Sequence, residues 1–260
     1  MKRYITVIKR DYIRHVFDQY VSEFDAGDPK IKLKAEHTYR VAELAGQIAA
    51  DAGLDEDLAW LSGMLHDIGR FEQVRRYATF KDAASIDHAA FGADMLFREG
   101  FIDRFQLDLN KREMMILEHS IRYHSMYRLP EDLPEQERQY CDVLRDADKL
   151  DILRVHCKNS FEDIYNVTTK ELYSSGISDE VKACFRNRTA VLKMWKKTPA
   201  DYVASLPCLV FELVYPASRK LAFTQGYLEQ ILSFTSDNPE TEAWFRYMRD
   251  SMREMYFQSL

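Results

Sequence analysis

Six side chains of metal-ligand type stand where helical spacing would put apolar ones: His37, His66, Asp67, His88, His124 and Asp148. Successive helical residues are about 100° apart, so positions i, i+4 and i+7 share a face. On that rule His37 lies on the apolar line Leu33–Val41–Leu44–Ile48, and His124 on the line Leu117–Ile121. The line Leu144–Ala147–Asp148–Asp151 points inward and sends Asp146 outward, while His88 shares a face with Phe91, Gly92 and Met95. His66 and Asp67 end the apolar run of "LSGMLHDIGRFEQ", residues 61–73. A carboxylate buried without a partner is costly, so buried charges are paired or coordinate a metal. Taken singly, each histidine is explained as a hydrogen-bonded core residue, and Asp148 as a partner of Arg40 or Arg122. Taken together, two acids among four imidazoles form a donor set that suits Zn, Fe, Mn or Ni.

Residues scattered from 37 to 148 meet only if several helices converge. Composition favours helices: Gly and Pro number 9 and 7, and Leu, Ala, Glu, Lys, Arg and Met are plentiful. Periodicity predicts helices over 4–24 (Tyr4, Ile8, Tyr12, Val16, Tyr20), 31–52 closed by Gly53, and 55–68. A charged loop follows to Ser85, which caps a helix ending at Gly100. Asn110 caps the next, to Met126, and another spans 135–155. Residues 166–181 read as loop, and three or so helices fill 178–260, broken near Pro199, Pro207 and 236–240. The expectation is an all-α fold: an N-terminal helix in 1–29, a helical core at 30–155, and a C-terminal helical extension at 156–260 packed into the same body.

Several classes are disfavoured. A net charge of −6 argues against long nucleic acid as partner. No run of about 18 apolar residues suggests a membrane span, and the charged N-terminus lacks a signal-peptide core. Cys141, Cys157, Cys184 and Cys208 lie far apart without a CxxC pair, which reads as reduced thiols in a cytoplasmic protein rather than a disulfide framework or a cysteine zinc site. Aromatic residues of the last segment (Tyr202, Phe211, Tyr215, Phe223, Trp244, Tyr247) read as core, with base stacking or a homodimer face as the alternative.

The order His37, His66-Asp67, Asp148 resembles the HD superfamily of metal-dependent phosphohydrolases. "EHTYRVAELAGQIAADAGLD" is similar to that family's opening helix, "LSGMLHDIGR" to its HDIG/HDIGK element with Arg70 where Lys is common, and "DADKLDILR" to its closing aspartate helix. The resemblance covers roughly residues 30–155 and implies an HD-domain helical bundle. It implies that His37, His66, Asp67 and Asp148 bind a first divalent ion. In the two-metal subset His88, followed by Gly92, and His124 join a second ion, with Asp67 bridging. His119 competes with His124, and Asp146 with Asp148; the stripes and flanking residues favour His124 and Asp148.

Such a pair of ions would activate a bridging water and neutralise phosphoryl oxygens. Asp67, Arg70 and Lys149 are the candidate catalytic residues; Arg40, Arg122 and Arg154 are further cations for phosphate. Asp151 is a candidate to orient a ligand histidine. The expected activity is hydrolysis of a nucleotide or other small phosphoester with one or two divalent ions (Fe, Mn, Ni, Zn, Co or Mg). No "GYP" follows His124, where the chain reads "SMYRLP", which disfavours a cyclic dinucleotide. The alternatives are a di-iron HD-type oxygenase acting on a polyol or phosphonate, and a non-catalytic regulatory module with a structural metal.

Overall fold

The computed structural model describes residues 8–160, 164 and 167–258, with side chains to residue 255. Tyr4 of the expected first stripe lies outside them. Every regular element among the described residues is helical, as composition predicts. No helix among them is long and apolar enough to cross a membrane. The chain divides into two compact units, residues 1–148 and 149–260.

In the first unit, α1 (Arg10–Val21) buries Ile13, Val16, Phe17 and Tyr20. Helix α2 (Pro29–Asp51) begins where the Asp28 side chain accepts from the Lys30 amide and Pro29 opens the first turn. It packs on α3 (Glu56–Leu65), whose residues Leu58 to Leu65 are all buried. Gly63 allows the close approach, since a Cβ there would lie 2.5 Å from the Ala42 Cα.

The expected single helix over 55–68 is broken. Helix α3 ends at His66, Asp67 takes φ −102°, ψ 17°, and α4 (Ile68–Tyr77) starts at once. The expected charged loop after residue 68 is therefore largely a helix. Its apolar positions Ile68, Phe71 and Val74 recur every third residue and are buried, while Arg75 and Arg76 face outward. Gly69 sits inside α4, where a Cβ would come 2.5 Å from the His88 carbonyl and 2.8 Å from the Gly92 amide. The pair Gly69 and Gly92 lets α4 and α5 (His88–Ala93) touch backbone to backbone.

Helix α5 is capped by Asp87, not Ser85: its carboxylate accepts from the amides of Ala89 and Ala90. A π-helical turn, Asp94–Arg98, continues it, and Gly100 then turns with φ +79°. Helix α6 (Lys111–Tyr123) starts with the reciprocal capping box of Asn110 and Glu113. Helix α7 (Glu135–Lys158) follows, and the division between units falls within it, after Asp148.

The second unit holds more and shorter helices than periodicity suggests. They are α8 (Thr169–Ser174), inside the expected loop, α9 (Asp179–Arg186), α10 (Pro199–Ala204), α11 (Pro216–Thr224), α12 (Tyr227–Leu232) and α13 (Pro239–Gln258). The buried carboxylate of Asp201 ties part of this unit together, accepting from the amides of Ser178, Lys197 and Thr198 and from the Ser178 hydroxyl at 2.6–2.9 Å. Its aromatic residues pack among themselves, with Phe185 against Phe211 and Trp244, and Phe234 against Phe245. All four cysteines are free thiols.

Candidate metal centre

Five elements converge on Asp67. Helix α2 brings His37, the end of α3 brings His66, the α3–α4 break brings Asp67, the start of α5 brings His88, and the end of α6 brings His124. Their relative exposures are 1%, 0%, 2%, 2% and 5%, so bulk water does not satisfy them. Asp148 of α7 completes the set, its Oδ1 3.1 Å from His37 Nε2.

The two oxygens of Asp67 face different imidazoles. Oδ2 lies 3.6 Å from His37 Nε2 and 3.4 Å from His66 Nε2. Oδ1 lies 3.4 Å from His88 Nε2 and 3.8 Å from His124 Nε2. Two groups of ligand atoms result, His37–His66–Asp67 and Asp67–His88–His124, with Asp67 common to both. The break at Asp67 makes this possible: a continuous helix would aim His66 and Asp67 about 100° apart, whereas here both meet one cluster.

Hydrogen bonds set the tautomers. His66 Nδ1 lies 2.7 Å from the Gly63 carbonyl, and His124 Nδ1 2.7 Å from the Ile121 carbonyl. A carbonyl only accepts, so both Nδ1 atoms carry the proton and donate. His88 Nδ1 likewise faces the Asp82 carboxylate at 3.0 Å. In the neutral form of these three residues Nε2 is therefore the bare lone pair. His66 Nε2 is buried and makes no hydrogen bond. His88 Nε2 and His124 Nε2 face each other at 3.1 Å. Lone pairs so placed call for a cation between them, and an imidazole that donates its other N–H to an oxygen is the usual state of a metal ligand. The residues present thus fit divalent metal.

The electrostatics agree. Burial alone would raise the Asp67 carboxyl, but the Lys34 ammonium, then His66 and His88, hold it well below the usual carboxylate range. Burial also works against ionised Asp148, and the His37 hydrogen bond overcomes it and lowers its pKa. Burial lowers His124 well below the ordinary imidazole value, and His66 and His88 push the same way. Burial, then Arg70, lowers His88. Carboxylates that stay ionised beside imidazoles that stay neutral are what ligation requires.

Lys34 did not stand out in the sequence. Its Nζ donates to Asp67 Oδ2 at 2.6 Å, with the side chain 16% exposed. The available signal was its place one turn before His37 on the same helix. Arg145 was also missed. It is buried on α7 and donates to carbonyls at the end of α6, those of His124 and Met126 among them, which holds the end of the helix that carries His124.

Other expectations change. His119 sits outside the cluster, paired with Glu137 and stacked on Tyr123. Asp146, expected to face outward, is fully buried. Arg122 is engaged by Asp94 at 2.8 Å and Glu118 at 3.0 Å. Arg40 lies 3.7 Å from Glu36, and Asp151 is buried. Lys149 and Arg154 are half-buried on α7. Arg70 is turned inward, its Nη1 donating to Gln73 Oε1, the Phe80 carbonyl and Asp82 Oδ1.

Comparison with protein families matches residues 35–154 to the HD domain. Neither the curated proteins nor the solved structures give a match. The matched span begins two residues before His37, ends six after Asp148, and contains the entire cluster. The span of this chain that matches the HD domain thus encloses a buried His/Asp cluster compatible with an HD-type metal site.

Proposed function

We propose that the chain hydrolyses a small, nucleotide-like phosphoester with two divalent ions. One would be held by His37, His66, Asp67 and Asp148, the other by Asp67, His88 and His124. The observation that carries this reading is the division of labour within Asp67, one oxygen toward each pair of imidazoles. When bound, such ions supply a hydroxide at neutral pH and stabilise charge on the phosphoryl oxygens. The chain itself keeps the site dry, holds the imidazoles in one tautomer and supplies cations. Lys34, part-exposed beside Asp67, and Lys149, one residue after Asp148, are the candidates to meet phosphate; the inward contacts of Arg70 make it a poor one. The net charge of −6 supports a small substrate over a long nucleic acid.

The test uses protein loaded with Mn(II) or Ni(II), its metal content measured, against a general aryl phosphate and a nucleotide panel. Turnover that disappears with chelator and returns with metal is the expected result. Metal-loaded protein inactive on every phosphoester defeats the proposal. The oxygenase reading uses the same donor set, and iron-loaded, anaerobically reduced protein that consumes oxygen together with a polyol or phosphonate would establish it instead.

A further inference from the structure

Arg70 follows Asp67 by three residues and looks from sequence like a phosphate grip. Its surroundings give it another task. The side chain is 12% exposed, and its Nη1 donates to Gln73 Oε1 at 2.7 Å, the Phe80 carbonyl at 2.9 Å and Asp82 Oδ1 at 2.7 Å. Its Nε lies 3.6 Å from Asp67 Oδ1. Asp82 receives the His88 Nδ1–H at 3.0 Å and 3.1 Å on its two oxygens, and Gln73 Nε2 at 3.0 Å. Gln73 Nε2 also reaches Ser85 Oγ at 2.8 Å and the Ile86 carbonyl at 3.1 Å. Two side chains of α4 thus fasten the connection between α4 and α5 at Phe80, Asp82, Ser85 and Ile86. The carboxylate they fasten is the one that aims His88.

We infer that Arg70 is a positioning residue for the second ion, acting through Asp82 on His88, and that the 78–87 connection is part of that half of the centre. The inference rests on the two-ion reading above. A carboxylate held from three sides cannot swing, so His88 keeps Nδ1 protonated and Nε2 aimed at the space it shares with His124 and Asp67. The Asp67 oxygen nearest Arg70 is Oδ1, the one turned toward His88 and His124, whereas Oδ2 faces His37 and His66. Disturbing it should therefore empty one half of the centre and spare the other. Loss of a partner behind a ligand typically costs 10–100-fold in metal affinity.

The experiment titrates metal-stripped full-length protein with Mn(II), reading stoichiometry by equilibrium dialysis and spin coupling by electron paramagnetic resonance. Wild-type protein should take up two ions with a coupled signal. Asp82→Asn and Arg70→Met should keep one ion at wild-type affinity, lose about 10–100-fold at the other, and show an uncoupled signal. Arg70→Lys, which keeps a cation for Asp82, should recover part of the loss. Asp82→Asn preserves volume and an acceptor oxygen, so it serves even where Arg70→Met fails to fold. Two ions in wild-type protein and two at unchanged affinity in Asp82→Asn, with a raised KM for phosphoester in Arg70→Lys, would overturn the inference alone and make Arg70 a substrate contact. One ion or none in wild-type protein would overturn the two-ion reading and this inference with it.

Discussion

At the scale of single residues, Asp67 decides the site. Its oxygens serve both groups of imidazoles, so Asp67→Ala should abolish ion uptake at both, whereas His66→Ala should impair chiefly the group that includes His37. His119→Ala should leave ion stoichiometry unchanged, because His119 pairs with Glu137 away from the cluster; its cost should be confined to about 1 kcal/mol of stability. Elemental analysis of the purified variants separates these outcomes. Lys34 makes a second prediction. It is the cation nearest a carboxylate 2% exposed, so Lys34→Met in metal-free protein leaves that charge poorly compensated. Destabilisation of about 3 kcal/mol is expected, shrinking when Mn(II) is present to neutralise Asp67. Urea unfolding with and without metal measures both values. The six ligand-type residues were legible because polar side chains on apolar stripes are conspicuous. Lys34 was not, because a lysine near the start of a helix looks like any solvated charge.

At the scale of elements, the site depends on two close approaches and one break. Gly69→Ala would drive a Cβ into the His88 backbone at the α4–α5 seam. The expected cost is about 2–3 kcal/mol, with weakened uptake of the ion that His88 would hold, read by thermal melts and metal titration together. Asn110→Ala removes one side of the capping box of α6, the helix that delivers His124, and should cost about 1 kcal/mol. Helices with caps and long stripes, such as α2 and α6, could be located from sequence. The one at Ile68–Tyr77 could not be separated from a loop by its many charges, although its apolar residues recur at every third position. The break at Asp67 was equally hidden, because propensity favours continuing α3 and only the packing of α4 against its neighbours forces the bend.

At the scale of the whole molecule, buried ionisable groups tie stability to pH and metal. His88 and His124 have lowered pKa values, and burial takes His156 of the second unit down to about 4. Below about pH 6.5 the unfolded chain binds protons that these folded imidazoles refuse, so stability falls as pH drops from 7 toward 5, by up to about 1.4 kcal/mol per pH unit for each group. Asp67 and Asp148 also have lowered values. Their contribution is complete above the unfolded value near 4 and is lost as pH falls below it, so acid acts in one direction throughout. Denaturant titrations of metal-stripped protein from pH 7 to 4 should show this monotonic loss. Metal should oppose it: at about 100 times its dissociation constant an ion adds about 2.7 kcal/mol, which raises Tm by about 5–10 °C and is reversed by chelator.

The sequence by itself determined that the protein is all helical and singled out six imidazoles and carboxylates, of which all but the part-exposed Asp148 are buried. Both follow from local facts, propensity and periodicity, that each segment carries alone. Tertiary structure decided what those residues face. It split the oxygens of Asp67 between two sets of imidazoles, sent His119 to Glu137 instead of the cluster, and turned Arg70 from the solvent toward Asp82. Those outcomes depend on how closely α4 approaches α5 and on the bend at Asp67, distances set by side chains far apart in the chain. The adjacent pair His66-Asp67 announces a site, and only the packing around it shows that the pair ends one helix and begins the next, with the two sides of one carboxylate serving two groups of ligands.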